Sequence, residues 1–568
     1  MSTKLDLGKI FFLILFLTLS VMTVMAGTIK GSITDKQTRE PLTGATVQIV
    51  GTTQGAIADM DGNYSLNVTN GIYTLSIKYV GYKDIVVNNV KSGKADVVLN
   101  FELESDAQAL GEVSVVARKN LEGERALQME RRKATLAIEN IGSKEMSIKG
   151  ISNVEEGVKK ITGISIADAG QLIVRGLGDR YSTTTLNGLP IASPNPDNKL
   201  IPLDLFPSST IQNITVSKVY NAEAFADYSG AHIDISTKEN IAEDFFSISF
   251  NTGGKFNTLG KDRYQMNRNG SLFKTSGVDQ AALDMPLSDF DNYVKTGNIF
   301  DTSFAVKKKS TLPDFNGNLG FGKNISIDSQ TLSILASVSA GNGYQNMDNA
   351  FYKTLEATGN VQDNFSYDSY AQELKLAALG YIGYTLRRHD RIGYTFFYTR
   401  NATDTYQRRE GTDAEDHELT GSNNITHIYT LQNHQLNGLH NFGEQDRWEL
   451  TWGGSYSKTG SEEPDRRQVM YLKNDDGTLG LFKLNRQETM RYFGSLDEKE
   501  WNGNLALRWK WNENNFLKLG FNYKNKSRDY KATRFYYNLN KINPTVTDIY
   551  DTDGFLNQEN IANGNVTV

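Results

Sequence analysis

The residues that could do chemistry are few and are poorly grouped for it. The chain has no cysteine, which excludes thiol catalysis, cysteine-based zinc sites and disulfides. Three of its six histidines, His427, His434 and His440, fall close together and are expected between strands. No carboxylate–histidine pair lies near them at helical spacing, as a zinc site would require. The segment Gly176–Arg180 lacks both the third glycine of a dinucleotide loop and the Lys-Ser/Thr of a phosphate loop. The sequence therefore predicts no enzyme, no metal site and no cofactor.

The segment Asp59–Asn63 begins like a calcium-binding loop. Such a loop needs a bidentate Glu six residues after its Gly, and Val68 stands at that position. The segment is better interpreted as a tight turn between two strands.

The composition narrows the class of protein. A chain of 568 residues is too long for one ordinary domain. The net charge of -6 argues against a nucleic-acid partner, since phosphate binding needs excess positive charge. The 50 Gly, 27 Tyr and 27 Phe, beside only 10 Pro, suit long aromatic-bearing strands. A mean hydropathy of -0.45 excludes a bundle of apolar membrane helices but allows a membrane barrel, whose strands are apolar on one face only.

The N-terminus predicts export from the cytoplasm. Lys4 and Lys9 precede the apolar run Ile10–Val24, and the small residue Ala26 follows. A basic start, a short apolar core and a small residue at the cleavage site describe a secretory signal peptide over residues 1–26. A transmembrane anchor is the alternative, but the apolar run is short for a span of about 20 residues.

Residues 27–103 predict a small antiparallel β-sandwich. Apolar and polar residues alternate around Ile29, Val47 and Leu75, with turn residues between these stretches.

Residues 104–133 change character and predict a charged linker that contains one short β-prone string. That string consists of Glu112, Val113, Ser114, Val115, Val116 and Ala117. A strand-former in a polar linker has unpaired edges and can add to the sheet of another protein. The alternatives are a last strand of the sandwich or a linker without a partner.

Residues 134–240 predict a mixed α/β domain. Short alternating segments at Leu172–Val174, Thr184–Leu186, Ile214–Val216 and Ile233–Ile235 are separated by Gly, Pro, Asn and Asp clusters. One short amphipathic helix is predicted between Ser152 and Thr162.

Residues 241–568 repeat a period of two. The alternation is clear around Ile248, Val338, Tyr394, Trp452 and Leu505. Charged groups on the second face of such strands would be costly in lipid and natural in a wet lumen. The fold class predicted for this part is a transmembrane antiparallel β-barrel, with a soluble sandwich or a β-solenoid as the alternative. About ten or eleven strands are predicted here, whereas plugged outer-membrane transporters have about 22, so only the first part of a barrel is expected in this sequence.

The domain over residues 134–240 resembles the plug of TonB-dependent outer-membrane receptors. The resemblance lies in Val174–Gly176, the Leu186–Gly188 turn, Ile211–Lys218 and Tyr228–Lys238. Residues 27–103 resemble the carboxypeptidase regulatory-like domain that precedes the plug in receptors of Bacteroidetes type, through Gly44–Val47 and Gly55–Tyr64. That module supplies no peptidase chemistry.

The resemblance implies energised uptake of an extracellular ligand. The string Glu112–Ala117 resembles the family's TonB box, so the implied partners are TonB with its inner-membrane energising complex, the ligand, the lipid bilayer and a surface lipoprotein lid. The implied location is the outer membrane of a Gram-negative bacterium, with the N-terminal domains in the periplasm. Expected ligand-facing residues on the plug loops are Asp179, Arg180, Tyr181, Asn195, Asp197 and Lys199, and Arg175 is expected to contact the barrel.

The ligand class stays open among ferric siderophores, cobalamin, glycans and peptides. A non-transporting surface adhesin or scaffold anchored by a barrel is the alternative function, and it would not need the string Glu112–Ala117. An outer-membrane protease or lipase is a third class, and the residues of this sequence do not supply its nucleophile.

Overall fold

The computed structural model describes residues 26–568 apart from short gaps. The gaps are 37–38, 53, 81, 94, 105–120, 168–170, 197, 240, 242, 269, 273, 276, 329, 388–389, 483–488, 513–514, 541, 543–545 and 547. The signal-peptide prediction, the string Glu112–Ala117 and Asp197 thus lie outside the described residues, except for Ala26. The chain divides into two compact units, one up to Val115 and one from Val116 onward.

The first unit is a β-sandwich, as the alternation predicts. The strands are β1 (Ala26–Asp35), β2 (Thr46–Ile49), β3 (Gly55–Ile57), β4 (Asn63–Thr69), β5 (Gly71–Lys78), β6 (Ile85–Ser92), β7 (Val97–Val98) and β8 (Phe101–Leu103). One sheet has the order β4-β1-β7, with β8 also paired to β1, and the other has the order β3-β2-β5-β6. The sandwich is not wholly antiparallel as expected, because β7 and β8 pair with β1 in parallel. Ile29, Val47 and Leu75 are fully buried in the shared core. The turn before β4 is closed by Asp59, whose Oδ1 accepts hydrogen bonds from the backbone N–H groups of Asp61 and Asn63 at 3.0 and 2.8 Å.

The plug is built on a five-stranded mixed sheet of order β13-β12-β15-β14-β9, beside the separate pair β10-β11. Its strands are β9 (Ile138–Gly142), β10 (Ile164–Ile166), β11 (Leu172–Val174), β12 (Thr183–Leu186), β13 (Leu189–Pro190), β14 (Ile211–Ser217) and β15 (His232–Thr237). Its helices are Glu124–Lys133, Ser143–Ile148 and Val154–Val158, with 3-10 turns at Asp179–Tyr181, Leu203–Leu205 and Ser208–Thr210. The helix expected between Ser152 and Thr162 is present, and Asn153 caps it by accepting the Glu156 N–H at 3.0 Å.

The remaining strands continue the chain in order. They are β16 (Phe245–Gly253), β17 (Asp262–Met266), β18 (Gly270–Ser271), β19 (Lys274–Thr275), β20 (Val306–Ser310), β21 (Asp314–Ile327), β22 (Gln330–Leu355), β23 (Val361–Arg387), β24 (Asp390–Thr412), β25 (Glu418–Phe442), β26 (Trp448–Lys473), β27 (Leu479–Leu481), β28 (Met490–Lys510), β29 (Phe516–Tyr536), β30 (Asn538–Leu539) and β31 (Val566–Thr567).

Ten of these strands form one antiparallel sheet, which we call the wall. Its order is β16-β21-β22-β23-β24-β25-β26-β28-β29, with β27 also paired to β26. Consecutive strands pair as hairpins, in agreement with the strand pattern of residues 241–568. β23 has 27 residues, far more than the roughly 9–11 that a tilted strand needs to cross a membrane.

Residues 254–313 and 537–568 form a compact module that the alternation does not predict. We call it the insertion module. It contains the helices Gln280–Asp284, Leu287–Thr296 and Gln558–Ala562 and the ribbon β17-β20. Its two segments share one apolar core, and Gln558 Nε2 of the second segment donates to the Val294 carbonyl of the first at 2.8 Å. Within the described residues, no helix is long and apolar enough to cross a membrane.

The wall has two faces that differ in what covers them. Along β24 the register is continuous from Arg391 to Thr412, so residues an even number apart share a face. Phe397 is fully buried against the plug, whereas Tyr394, on the opposite face, is exposed. The same exposed face carries large apolar side chains on most strands: Phe246, Ile248, Phe250, Leu319, Val338, Ile382, Leu436, Trp501, Leu505, Leu519 and Phe521. This apolar belt is the pattern of a lipid-facing surface.

Truncation of Phe397 tests the assignment of the two faces. Phe397 stacks on Phe206 of the plug with ring centroids 5.4 Å apart, so Phe397→Ala should weaken plug packing by about 3–5 kcal/mol. Its chain neighbour Phe396 points to the other face, and Phe396→Ala is the matched control. Hydrogen exchange of the plug strands should rise for the first variant only; equal protection in both would contradict the assignment.

Candidate functional site

The candidate site is the interface between the plug and the inner face of the wall. The buried core of the plug continues into the wall, so that the two parts share one apolar cluster. The wall residues of this cluster are Leu335, Leu379, Tyr381, Phe397 and Leu431. Burial of such side chains contributes roughly 1.5–3 kcal/mol each, which makes this cluster a strong attachment between plug and wall.

The hairpin between β12 and β13 fastens the plug at a second point. Asn187 and Gly188 have φ values of 52° and 80°, the left-handed pair that a type I′ turn requires. Asn187 Nδ2 donates to Gln435 Oε1 of the wall at 2.9 Å and to Thr237 Oγ1 of the plug at 3.0 Å. Gln435 Nε2 in turn donates to the Leu186 carbonyl at 2.8 Å. The hairpin tip is therefore bound to the wall by two reciprocal hydrogen bonds.

Further polar contacts join plug carbonyls and carboxylates to wall side chains. The distances are 3.0 Å from Asn502 Nδ2 to Pro190 O, 3.0 Å from Arg528 Nη2 to Ser193 O and 3.5 Å from Arg391 Nη2 to Glu239 Oε2. Hydrogen bonds of this kind contribute only about 0.5–1.5 kcal/mol each, because water replaces them when they break.

The structure brings together some of the expected ligand-facing residues. Asp179 and Lys199 meet, since the Lys199 backbone N–H donates to Asp179 Oδ2 at 3.0 Å. Lys199 Nζ donates to the Asp227 carbonyl at 2.6 Å, and burial lowers the pKa of this ammonium. Arg180 lies over the ring of Tyr181, with 5.8 Å from its Cζ to the ring centroid, and both side chains are exposed. Their role toward a ligand stays a prediction.

Two other expected residues have different surroundings. The Asn195 backbone N–H donates to Ser193 Oγ at 3.2 Å, which closes a small turn in the Pro-rich loop. Arg175 is exposed at the turn after β11, with a left-handed φ of 50°. Among the described residues its side chain has no hydrogen bond or ion pair with the wall, so the expected barrel contact of Arg175 stays a prediction.

A polar cavity of about 460 Å³ separates the plug from β16, β21, β22 and β23. On the plug side it is lined by Asn153, Asp204 and Ser208, and on the wall side by Glu373 and Lys375 among other polar residues. A second cavity of about 210 Å³ lies on the other side of Asp204. The plug therefore meets β22 and β23 in two ways, through the apolar residues Leu335, Leu379 and Tyr381 and across this polar cavity.

Asp204 is the plug carboxylate that both cavities share. Its pKa is raised to about 6, chiefly by burial and also by the nearby Glu373 and Glu155, whereas Lys375 and a hydrogen bond from Asn401 act in the opposite direction. Sequence reasoning missed this residue. Its burial depends on wall residues far away in the chain, such as Lys375 and Asn401, which no local pattern around Asp204 indicates.

The three clustered histidines lie on one strand, β25, and not between strands as expected. His434 contacts the Tyr394 hydroxyl through Nδ1 at 2.7 Å, on the belt side of the wall. Within the described part of the chain, no group of three or more His, Asp or Glu side chains is placed to hold a metal ion.

Comparisons with known proteins agree with this architecture. The family model described as the CarboxypepD_reg-like domain matches residues 29–115. The family model described as the TonB-dependent Receptor Plug Domain matches residues 130–230. The TonB-dependent receptor SusC of Bacteroides thetaiotaomicron is 27% identical over 262 residues, which are 42% of this chain and 24% of that protein. The chain therefore carries a TonB-dependent receptor plug domain behind a CarboxypepD_reg-like domain.

Two further similarities complete the comparison of this receptor with known proteins. The TonB-dependent receptor P39 of Formosa agariphila is 27% identical over 144 residues, which are 24% of this chain and 13% of that protein. The ferric-catecholate import receptor Fiu of E. coli has a TM-score of 0.34 and 9% identity, over 71% of this chain and 63% of that chain. The chain spans a quarter or less of the length of the two curated relatives, SusC and P39. Both curated relatives are named as TonB-dependent receptors and not as enzymes.

Substitutions at Asn187 separate the backbone and side-chain roles of the hairpin in this receptor. Asn187→Gly keeps the left-handed turn and loses the hydrogen bonds to Gln435 and Thr237, at a cost of about 2 kcal/mol. Asn187→Ala loses the same bonds and strains the turn, so its cost should be larger by about 1 kcal/mol. Hydrogen exchange in β12 and β13 measures both costs. Equal protection in the two variants would contradict the role assigned to the turn.

The raised pKa of Asp204 predicts a pH-dependent attachment of the plug. A released plug titrates at the ordinary Asp204 pKa of 3.8, whereas the packed plug titrates at about 6. Between these values the packed state holds more protons, so its stability falls as pH rises from about 4 to 6 and then levels off, by up to about 3 kcal/mol.

Urea unfolding of the plug at pH 4.5 and pH 7 measures this change. The transition should move to lower urea at pH 7 in the unmodified receptor and move less in Asp204→Asn. Asp291→Asn, which removes an exposed carboxylate of the insertion module, is the control. A pH dependence that is unchanged in Asp204→Asn would refute the assignment.

Proposed function

We propose that the protein imports an extracellular ligand across the outer membrane, with TonB supplying the force through the string Glu112–Ala117. The observation that carries the proposal is the way in which the plug is held. Its core is completed by side chains of a wall whose other face is an apolar belt, so the plug obstructs the lumen of a membrane-embedded sheet. An obstructed pore needs a device that moves the obstruction.

The attachment of the plug supports an obstruction that can be moved. The plug is held by the shared apolar cluster, which includes the Phe206–Phe397 stack, and by the Asn187–Gln435 bonds, and cavities remain between plug and wall beside both groups of contacts. Force applied at the N-terminal end of the plug would act first on β9, whose Ile141 belongs to the shared apolar cluster, and would reach the polar bonds of β12 and β13 through the plug sheet.

The position of the string Glu112–Ala117 supports its role as a TonB box. It follows the front sandwich, whose last strand β8 ends at Leu103, and precedes the plug helix Glu124–Lys133. Its residues are β-prone, and an extended segment can add as a strand to a partner's exposed sheet edge. The surface lipoprotein lid, the inner-membrane complex and the periplasmic location of the front sandwich belong to this proposal.

The ligand-facing residues are part of the same proposal. The exposed Arg180 and Tyr181 and the neighbouring Asp179 and Lys199 offer charge and an aromatic face to a ligand. The ligand is a siderophore, glycan, peptide or cobalamin, and each of these classes can use such groups.

Proline substitutions in the string test the energy coupling. In the full chain, Val113→Pro with Val115→Pro should abolish binding of the periplasmic domain of TonB, because proline lacks the N–H that strand addition requires. The matched control is Val113→Ile with Val115→Ile, which keeps the β-propensity and should keep binding. Isothermal titration measures both. Binding that survives the proline variant would refute the TonB-box assignment and favour the anchored adhesin or scaffold.

A further inference from the structure

The insertion module packs on the belt side of the wall, not on the plug side. Tyr406 lies in the core of the module and is twelve residues from the exposed Tyr394 on a strand with continuous register, so the two side chains share a face. On β22 the register is continuous from Thr331 to Met347, so Tyr344 shares a face with the exposed Val338. The Arg263 guanidinium of the module lies over the Tyr344 ring, 5.1 Å from its centroid. The module therefore covers the continuation of the lipid-facing surface.

The charge of the module is divided between its two ends. Residues 254–268 and 305–313, which contain β17 and β20, include seven basic residues and one acidic residue, Asp262. Residues 277–301, which contain two helices, include five Asp and one Lys. We call the first end the lysine edge. Its exposed lysines are Lys255, Lys261, Lys307, Lys308 and Lys309.

The lysine edge is only weakly neutralised by the protein itself. Lys308 pairs with Asp262 at 2.7 Å, and both side chains are more than half exposed. The other four lysines have no acidic partner within the described residues. Lys309 is paired across the β17-β20 ribbon with another positively charged residue, Arg263.

The lysine edge begins where the apolar belt ends. Lys255 follows the belt residue Phe250 by five positions, and Phe315 continues the belt on the neighbouring strand. Phe256 next to Lys255 is fully exposed, and Leu312 beside the ribbon is also exposed. A lipid interface presents phosphate groups above acyl chains. Lysines match the phosphates, and exposed apolar side chains beside them match the acyl chains.

We propose that the lysine edge contacts the membrane surface, with its lysines on the phosphate groups of anionic lipid headgroups and Phe256 in the interfacial layer. The proposal rests on the membrane-embedded wall of the proposed function. The acidic end of the module would then point away from the bilayer. Such a contact would hold the insertion module against the outer side of the wall and fix the depth of the wall in the membrane.

A single fluorophore can test the contact, because the chain has no cysteine. Phe256→Cys in the full chain carries an environment-sensitive label, and Leu287→Cys, exposed at the acidic end, is the matched control. Each labelled receptor is reconstituted in vesicles of phosphatidylcholine alone or mixed equally with phosphatidylglycerol. The label at position 256 should show blue-shifted emission that is strongest with phosphatidylglycerol, and the label at position 287 should remain water-like in both.

Substitution of the lysines distinguishes a charge contact from mere proximity. Lys307→Gln with Lys308→Gln and Lys309→Gln should weaken the preference for phosphatidylglycerol about tenfold, whereas the three Lys→Arg changes should keep it. A water-like label at position 256 in all vesicles, or a preference unchanged by Lys→Gln, would overturn the proposal. Loss of the signal on addition of inorganic phosphate would also overturn it, since the edge would then be a site for soluble anions.

The same preparations distinguish failure of this proposal from failure of the proposed function. TonB binding depends on Val113 and Val115 and is measured on the same receptors. Intact TonB binding without lipid contact would refute the lysine-edge contact alone. Lipid contact without TonB binding would refute the energy coupling alone.

Discussion

The structure depends on one property of the extended chain, which is that successive side chains point to opposite faces of a sheet. Because the register of the central wall strands runs unbroken over long stretches, each strand presents one continuous face to the plug and one to the outside. A slip by one residue would expose Phe397 to lipid and turn Tyr394 toward the plug. The plug, the apolar belt and the insertion module are all placed by this alternation.

The plug is held by two kinds of contact that respond differently to force. The cluster that includes Phe206 and Phe397 is apolar, and separating it exposes surface to water at a high cost in free energy. The bonds of Asn187 and Asn502 are polar and exchange with water at little cost. A plug attached in this way is stable at rest and can still be released locally, which is what a gated transporter needs.

The insertion module shows how one strand face can serve two environments. The face that carries Tyr394 is exposed and apolar near one end of β24, and the same face is buried under the module at Tyr406. Charged pairs appear beneath the module as well: Arg491 reaches Asp465 at 3.3 Å and also bonds to the backbone of Thr302. Such polar anchors would be too costly in hydrocarbon, so they mark a part of the wall outside the bilayer.

The sequence by itself determined the fold class, the order of the parts and the two-faced strands, because alternation and turn residues are local properties of the chain. It also predicted four strands of the plug, β11, β12, β14 and β15, and the helix at Val154–Val158. Only the tertiary structure decided which faces meet: that Asp204 lies between two cavities, that Asn187 reaches Gln435, and that residues 254–313 join residues 537–568. These contacts join residues far apart in the chain, and nothing in the local alternation of side chains records which distant segment will cover a given face.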